Sequence, residues 1–191
     1  MGVRRLIYSI GVSLDGYIAD PDGRFDWAAP DEELHRFHNQ QTRELGLHLL
    51  GRRLYETMVY WETAEQNPQS TDYELEFAGV WKRLPKLVFS SRLDHVQGNA
   101  RLASEGIVEA VERLKAEPGG DISVGGAALA GPLIQRDLID EYRLFVNPAL
   151  AGGGTPFFPT LERPLGLKLL ETRTFSSRVV YARYRSVRLT S

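Results

Sequence analysis

Between Arg5 and Ser13 the chain alternates in the manner of a strand, with Leu6, Tyr8, Ile10 and Val12 on one face and Ile7, Ser9 and Gly11 on the other. Both faces are apolar enough for a strand inside a sheet. The turn pairs Asp15-Gly16 and Asp22-Gly23 make Leu14 to Pro30 a long irregular connection. Asp31-Glu32-Glu33 then opens a helix, with acids in the first turn where the dipole favours them. Leu47 to Gly51 is a short apolar strand feeding a helix at Arg52, and after the polar break Asn67 to Thr71 a helix is predicted over Tyr73 to Arg83. Lys86 to Ser91 reads as a strand, and Ser104 is placed to cap a helix carrying Ile107, Val111 and Leu114 at helical spacing, ended by Pro118-Gly119-Gly120. Asp121 to Gly125 is a strand, Ala127 to Gln135 a helix with Pro132 as its one discordant residue, and Glu141 to Val146 a strand before the glycine cluster Gly152-Gly153-Gly154. Leu167 to Arg173 and Val179 to Arg188 alternate about Phe175-Ser176-Ser177 and predict an antiparallel hairpin. Strands that alternate with helices, closed by a hairpin, imply an α/β fold: a mixed, mostly parallel sheet with helices on both faces.

Composition narrows the class. The 191 residues fit one domain, read here as 1–191, with no linker, internal repeat or low-complexity tract. With 23 basic and 25 acidic residues there is no excess of positive charge to meet a polyanion, so no nucleic acid partner is expected. Without cysteine, no disulfide framework, thiolate nucleophile or Cys-ligated metal is available, in keeping with a reducing cytoplasm. No apolar stretch is long enough to cross a bilayer and the first residues lack a signal-peptide core, so a soluble intracellular protein is expected.

Three junctions invite chemistry. Two glycines, Gly125 and Gly126, stand where a strand meets a helix, so backbone is bare where a ligand touches and unpaired helix N–H groups suit a phosphate. Gly51-Arg52-Arg53 has the same design with guanidiniums added, and Ser90-Ser91-Arg92 puts hydroxyls and a cation at a third strand end. Each by itself also reads as an ordinary turn or polar loop. All three fall at carboxyl ends of predicted strands, where open α/β sheets collect ligands, and together they point to a dinucleotide. No Gly-x-Gly-x-x-Gly fingerprint, phosphate-binding Gly-Lys-Ser/Thr loop or Gly-x-Ser-x-Gly elbow occurs.

Ser13-Leu14-Asp15-Gly16-Tyr17-Ile18-Ala19, Leu50-Gly51-Arg52, Tyr55-Glu56, Val88-Phe89-Ser90-Ser91 and Val124-Gly125-Gly126-Ala127, in that order, resemble the dihydrofolate reductase-like superfamily. Within it, the chain is similar to the bacterial branch related to the reductase domain of the riboflavin-biosynthesis deaminase–reductase, over roughly Arg4 to Val187. The resemblance implies the superfamily's three-layer fold and hydride transfer from NADPH to a small nitrogen heterocycle, pterin-like or pyrimidine-like. It implies that Gly51 and Arg52 with Ser91 and Arg92 hold the adenosine 2′-phosphate, selecting NADPH over NADH, with Arg53 and Ser90 as further coenzyme-binding candidates beside them. Gly125, Gly126 and Ala127 would form the pyrophosphate-binding turn, where the family often has a cis glycine–glycine bond, with Val124 and Leu129 as coenzyme-binding candidates on either side. Gly11, Ile18 and Ala19 would line the nicotinamide. A homodimer through the sheet edge or C-terminal hairpin is also implied.

The catalytic acid of dihydrofolate reductases sits on the first helix, and by resemblance Glu33 is the candidate, with Glu32 the alternative one residue earlier. A partly buried acid there, with a raised pKa, would donate a proton near neutral pH, although acids in a first helical turn are also expected on dipole grounds alone. The chain departs from the riboflavin branch in having Val124 where an acid usually precedes the glycines, and Arg53-Leu54-Tyr55-Glu56 in place of an Asp-rich loop. Those are the groups that hold a ribosyl phosphate. His35 and His38 read as a polar helix face rather than a metal site, Asp15 as a turn residue, and Trp27, Phe37, Tyr55 and Trp61 as core packing or the wall of a flat pocket. A nucleotide-binding protein without turnover, such as a redox sensor, and a bare α/β interaction module are the competing classes.

Overall fold

The computed structural model describes residues 4–187. Strand β1 (Leu6–Ser13) is followed by a short β2 (Tyr17–Ala19), a 3-10 turn over Asp26–Ala28 and helix α1 (Glu32–Arg43). β3 (Leu45–Gly51) feeds α2 (Arg52–Met58), and α3 (Asp72–Arg83) leads to β4 (Lys86–Phe89) and β5 (Ala100–Leu102). Next come α4 (Ile107–Ala116), β6 (Asp121–Gly125), α5 (Ala127–Gln135), β7 (Glu141–Asn147), the two-residue β8 (Thr155–Pro156), β9 (Gly166–Thr174) and β10 (Val180–Val187).

Eight strands form one sheet in the order β5-β4-β3-β6-β1-β7-β10-β9. Neighbours from β5 to β7 are parallel, because helices carry the chain back to the starting edge between them, except from β4 to β5, where the loop between Phe89 and Ala100 does so. β10 runs antiparallel to both β7 and β9, as the alternation of the terminal hairpin requires. Side chains of period two split the core between the two faces. Leu6, Tyr8, Leu47, Leu49, Ile122 and Val124 pack against Val111 and Leu114 of α4 and Leu133 and Ile134 of α5. On the other face α1 sets Leu34 and Phe37 against Phe145, Phe175 and Tyr181, while α3 sets Phe77 and Trp81 against Leu50 and Val88. The expected mixed sheet with helices on both faces is what the chain forms.

Several boundaries differ, each for a local reason. Backbone pairing continues through Ala103, whose N–H donates to the Val88 carbonyl. The chain therefore needs Ser104 to Gly106 to turn, and α4 starts behind Gly106 with no side-chain cap, not behind Ser104. β5 has only three residues, too short for periodicity to show. The connection after β1 is not wholly irregular, since Tyr17 and Ala19 pair with Pro156 and Thr155 from the far end of the chain. Leu45 begins β3 two residues before the apolar run, and α2 tightens into a 3-10 turn over Val59–Glu62 after two turns. Pro132 is accommodated inside α5. Arg188, expected to end the hairpin, lies outside the described residues.

Candidate active site

Strand register brings the three junctions into one row. Gly51 of β3 lies opposite Phe89 of β4, immediately before Ser90, and Leu50 lies opposite Gly125 of β6. β1 is the next strand over, and its Gly11 lies opposite Phe145 of β7. Gly51-Arg52-Arg53, Ser90-Ser91-Arg92, Gly125-Gly126 and Gly11 therefore share the carboxyl edge of four neighbouring strands and β7.

The two glycines have different duties. Gly126 has φ +95, a left-handed conformation that L side chains avoid, and a Cβ built on it would meet nothing within 4 Å. Open space therefore stands over the start of α5. That helix has no side-chain cap, and its first internal bond runs from the Ala130 N–H to the Gly126 carbonyl, so the N–H groups of Ala127, Ala128 and Leu129 have no partner within the helix. Gly125 is small for a packing reason, because a Cβ there would lie 2.3 Å from Cδ2 of Leu54 and 3.1 Å from Nε2 of His48. The Gly125–Gly126 bond is trans, as no cis peptide bond occurs among the described residues, and the turn is made instead by the dihedrals of Gly126. Val124 is fully buried in the core, so only its backbone reaches the edge. Leu129 covers Gly51, its Cγ 3.6 Å from where a Gly51 Cβ would stand. A bare backbone turn whose donors are unpaired among the described residues, below open space, fits an anionic diphosphate.

The cationic junctions are mostly solvent-facing. Arg53, Ser91 and Arg92 are exposed. Nη1 of Arg52 donates to the Glu56 carboxylate at 2.8 and 2.9 Å. Ser90 does not present a free hydroxyl acceptor: its Oγ accepts the N–H groups of Arg92 and Leu93 at 3.0 and 3.1 Å and so shapes the loop. A cavity of about 330 Å³ opens here, lined among others by Tyr55, Glu56, Val59, Arg92 and His95. A larger hollow, about 700 Å³, lies at the opposite edge of the sheet beside Arg5, Asp140 and Glu141, away from every residue singled out in the sequence.

On the β1–β7 side, Gly11 faces Ala28 and Asn147, whose Cβ and Nδ2 would stand 3.3 and 3.5 Å from a Cβ at position 11. Asn147 is buried, and its Nδ2 donates to the carbonyls of Phe145 at 2.9 Å and Val12 at 3.3 Å. Two backbone acceptors fix the amide nitrogen on that side, which turns Oδ1 away from them. The Trp27 indole N–H is buried with no partner among the described residues. Ile18 packs against the main core from β2. Asp15 is more than a turn residue, since its carboxylate accepts from Ser13 Oγ at 2.6 Å and from the N–H groups of Ala151 and Gly152 at 2.9 and 2.8 Å. These bonds hold its pKa down to about 2, the serine contributing most, and they fasten the loop after β1 to the glycine loop after β7.

The expectation of a raised pKa at Glu33 is corrected by its partners. Its carboxylate accepts from the Ser176 N–H at 2.9 Å, the Ser176 hydroxyl at 2.8 Å and the Arg173 guanidinium at 2.8 Å. The Ser176 amide first, then Arg173, pulls it down to about 2. Glu33 is an anion that ties α1 to the β9–β10 turn. Glu32, the alternative, is exposed and paired with Arg36. The two histidines are not a polar face either. His35 is buried among Trp61, Tyr73 and Phe77 with Nδ1 on Asn39, and His38 lies 4.3 Å from the Phe145 ring, where burial pushes it down to about 4. Phe37, Tyr55 and Trp61 all pack in the core clusters. Among the described residues no group of three His, Asp or Glu is placed to hold a metal.

Asn147 escaped sequence reasoning because nothing distinguishes a polar residue at a strand end; its place beside Gly11, set by the β1–β7 register, is the missing signal.

The family model of the RibD C-terminal domain matches residues 4–181. The uncharacterized protein YyaP of Bacillus subtilis (strain 168) is 35% identical over 184 residues, covering 95% of this chain and 94% of that one. Among solved structures, a putative riboflavin biosynthesis protein from Shewanella sp. PV-4 superposes with TM-score 0.74 at 24% identity, over 96% of this chain and 99% of the other. The Thermotoga maritima diaminohydroxyphosphoribosylaminopyrimidine deaminase/5-amino-6-(5-phosphoribosylamino)uracil reductase follows with TM-score 0.68 at 15% identity, over 96% of this chain and 57% of that one. A dihydrofolate reductase from Enterococcus faecalis complexed with NADP(H) gives TM-score 0.59 at 16% identity, over 95% of this chain and 96% of the other. At these identities the structures speak for the fold, which is dihydrofolate reductase-like.

Proposed function

This chain belongs to the RibD C-terminal domain family, and from that premise we propose that it is an NADPH-dependent reductase of a small nitrogen heterocycle, pterin-like or pyrimidine-like. The observation that carries the reading is the row of strand ends: Gly51, Ser90 and the Gly125-Gly126 turn stand side by side, with open space over Gly126 and unpaired N–H groups at the start of α5. The dihydrofolate reductase that shares the fold is complexed with NADP(H), which supports the same choice of coenzyme.

In this reading the N–H groups from Gly126 to Leu129 bind the coenzyme diphosphate, with Val124 and Gly125 giving backbone alone. Arg52, Arg53 and Arg92, with Ser91, take the 2′-phosphate. Gly11, Ile18 and Ala19 line the nicotinamide, and the lack of a side chain at Gly11 leaves room for a flat ring beside Ala28 and Asn147. The coenzyme, when bound, supplies the hydride; the chain positions the substrate and excludes water. Glu33 is not given the proton-donor role, because its carboxylate is committed to Arg173 and Ser176. The proton is assigned to a water at the carboxyl edge.

Missing groups argue against a ribosyl phosphate on the substrate, since Val124 and Leu54 are apolar and buried or half-buried. The chain is proposed to act as one domain in the cytoplasm, where NADPH is supplied; no helix of the described residues is long and apolar enough to cross a membrane. Exposed Leu167, Leu169 and Val180 on the terminal hairpin support a homodimer, which light scattering of the purified chain would show. Calorimetry with NADPH, followed by its oxidation against pterins, deazaflavins and pyrimidines, tests the central reading. The engaged state of Glu33 favours one second reading, a coenzyme-binding sensor, and binding without turnover across the panel would establish it in place of the reductase.

A further inference from the structure

Arg52 opens α2 and Glu56 follows one helical turn later. Nη1 of Arg52 donates to both oxygens of the Glu56 carboxylate, at 2.9 and 2.8 Å. Among the described residues the guanidinium has no other acceptor, so its Nε–H and Nη2 hydrogens are left open. That Nε/Nη2 edge is the fork with which a guanidinium meets two oxygens of a phosphate. Glu56 also lines the cavity of about 330 Å³ whose wall includes Arg92, the other cation of the same corner.

We propose that Glu56 is the positioning residue for Arg52, pinning one nitrogen so that the open edge of the guanidinium is presented to the 2′-phosphate, and that this hold sets the preference for NADPH over NADH. The inference rests on the coenzyme reading above and adds a residue that reading did not use. Two effects of a carboxylate at this place oppose one another. Its charge repels a phosphate, while its hold removes side-chain freedom that Arg52 would otherwise lose on binding. With the two side chains 30% and 45% exposed, water and salt screen the repulsion. The hold is a direct contact at 2.8 and 2.9 Å on Nη1, whereas a phosphate on the Nε/Nη2 edge meets Glu56 only across the guanidinium, so positioning wins. NADH, which has no phosphate at that position, gains nothing from it.

Calorimetric affinities for NADPH, NADH and 2′,5′-ADP on the wild-type chain, Glu56→Ala and Glu56→Gln test the assignment. Glu56→Ala weakens NADPH and 2′,5′-ADP by about two- to fivefold and leaves NADH unchanged. Glu56→Gln, which keeps one carbonyl acceptor for Nη1, falls between Glu56→Ala and wild type. The ratio of the two coenzyme affinities is read within each variant, so partial unfolding lowers both alike and leaves the ratio in place. Equal weakening of both coenzymes, or no change, overturns the positioning role. Tighter NADPH binding in Glu56→Ala also overturns it, by showing that repulsion dominates. A wild-type chain that binds neither coenzyme removes the coenzyme reading and this inference together, whereas intact NADPH binding with an unmoved ratio removes the inference alone.

Discussion

Leu54 occupies the place that a side chain at Gly125 would need: Cδ2 of Leu54 would stand 2.3 Å from a Cβ at position 125. The first glycine of the pair is therefore explained by packing of α2 on the end of β6, whatever binds above. Gly125→Ala should cost about 1–3 kcal/mol through overpacking. In a Leu54→Ala background much of that cost should vanish, leaving a coupling of about 1 kcal/mol or more in a double-mutant cycle. Urea unfolding of the four proteins measures it; additive effects would show that Leu54 is not the obstacle.

Gly126 should behave differently. Its φ of +95 and ψ of 135, a positive-φ extended conformation open essentially to glycine alone, with nothing within 4 Å, predict a strain cost of about 1–3 kcal/mol for Gly126→Ala, independent of Leu54. The new methyl would enter the open space over α5, so NADPH affinity should fall more than stability does. Calorimetry and unfolding on the same variant separate the two effects, and unchanged affinity would remove Gly126 from the binding turn.

Asp15 joins two loops that sequence reading treats as separate. Asp15→Asn keeps the shape but replaces one acceptor oxygen with an NH₂ group, which cannot accept from Ala151 or Gly152. Amide hydrogen exchange at Ala151 and Gly152 should accelerate while the strands of the sheet keep their protection. The folded pKa of about 2 lies below the ordinary carboxylate value of 3.8. The latch is therefore complete above that value and is lost as pH falls from there through about 2. Exchange that stays slow in Asp15→Asn would mean the β2–β8 pairing alone holds the loops.

Glu33→Gln should leave any NADPH oxidation, and its dependence on pH near neutrality, unchanged, because an anion already paired with Arg173 and Ser176 donates no proton there. A loss of turnover that is rescued at low pH would return the acid role to Glu33.

How far the sequence reached can be read from these same residues. Apolar alternation and turn glycines are local signals, and they carried β1, β3, β6, the terminal hairpin and the helices of both faces. The adjacency of Gly51, Ser90 and Gly125 followed, because parallel strands linked by helices leave their carboxyl ends on one edge. What escaped depends on partners remote in the chain. Glu33 could not reveal its pairing with Arg173 and Ser176, residues 140 and 143 positions away. Asn147 gained meaning only from register with β1, and the duty of Gly125 only from the path of Leu54. His35 and His38 misled for the opposite reason: polar identity suggested water, yet α1 turns both toward aromatic rings.

Those histidines give the chain a pH response of fixed sign. Burial pushes His38 down to about 4. It does the same to His48, with Lys86 adding to the effect, and it lowers His35 as well. A folded pKa below the ordinary value of 6.5 means the unfolded chain takes up the proton first as pH falls. Stability is then full above 6.5 and declines toward 4, by up to about 1.4 kcal/mol per pH unit for each such histidine. Glu33, Glu65, Glu74 and Glu76, all held below their ordinary value of 4.5 by partners, start to contribute only below about pH 5.5, so the slope between pH 6.5 and about 5.5 belongs chiefly to the histidines. His48 is the informative one to change, because its Nδ1 is buried without a partner among the described residues, and a leucine there forfeits no hydrogen bond made by that nitrogen to them. Urea midpoints should be flat from pH 8 to 7, fall between 6.5 and 4.5, and fall less steeply in His48→Leu. An identical slope in the variant would show that His48 keeps its ordinary pKa and is open to water in the folded chain.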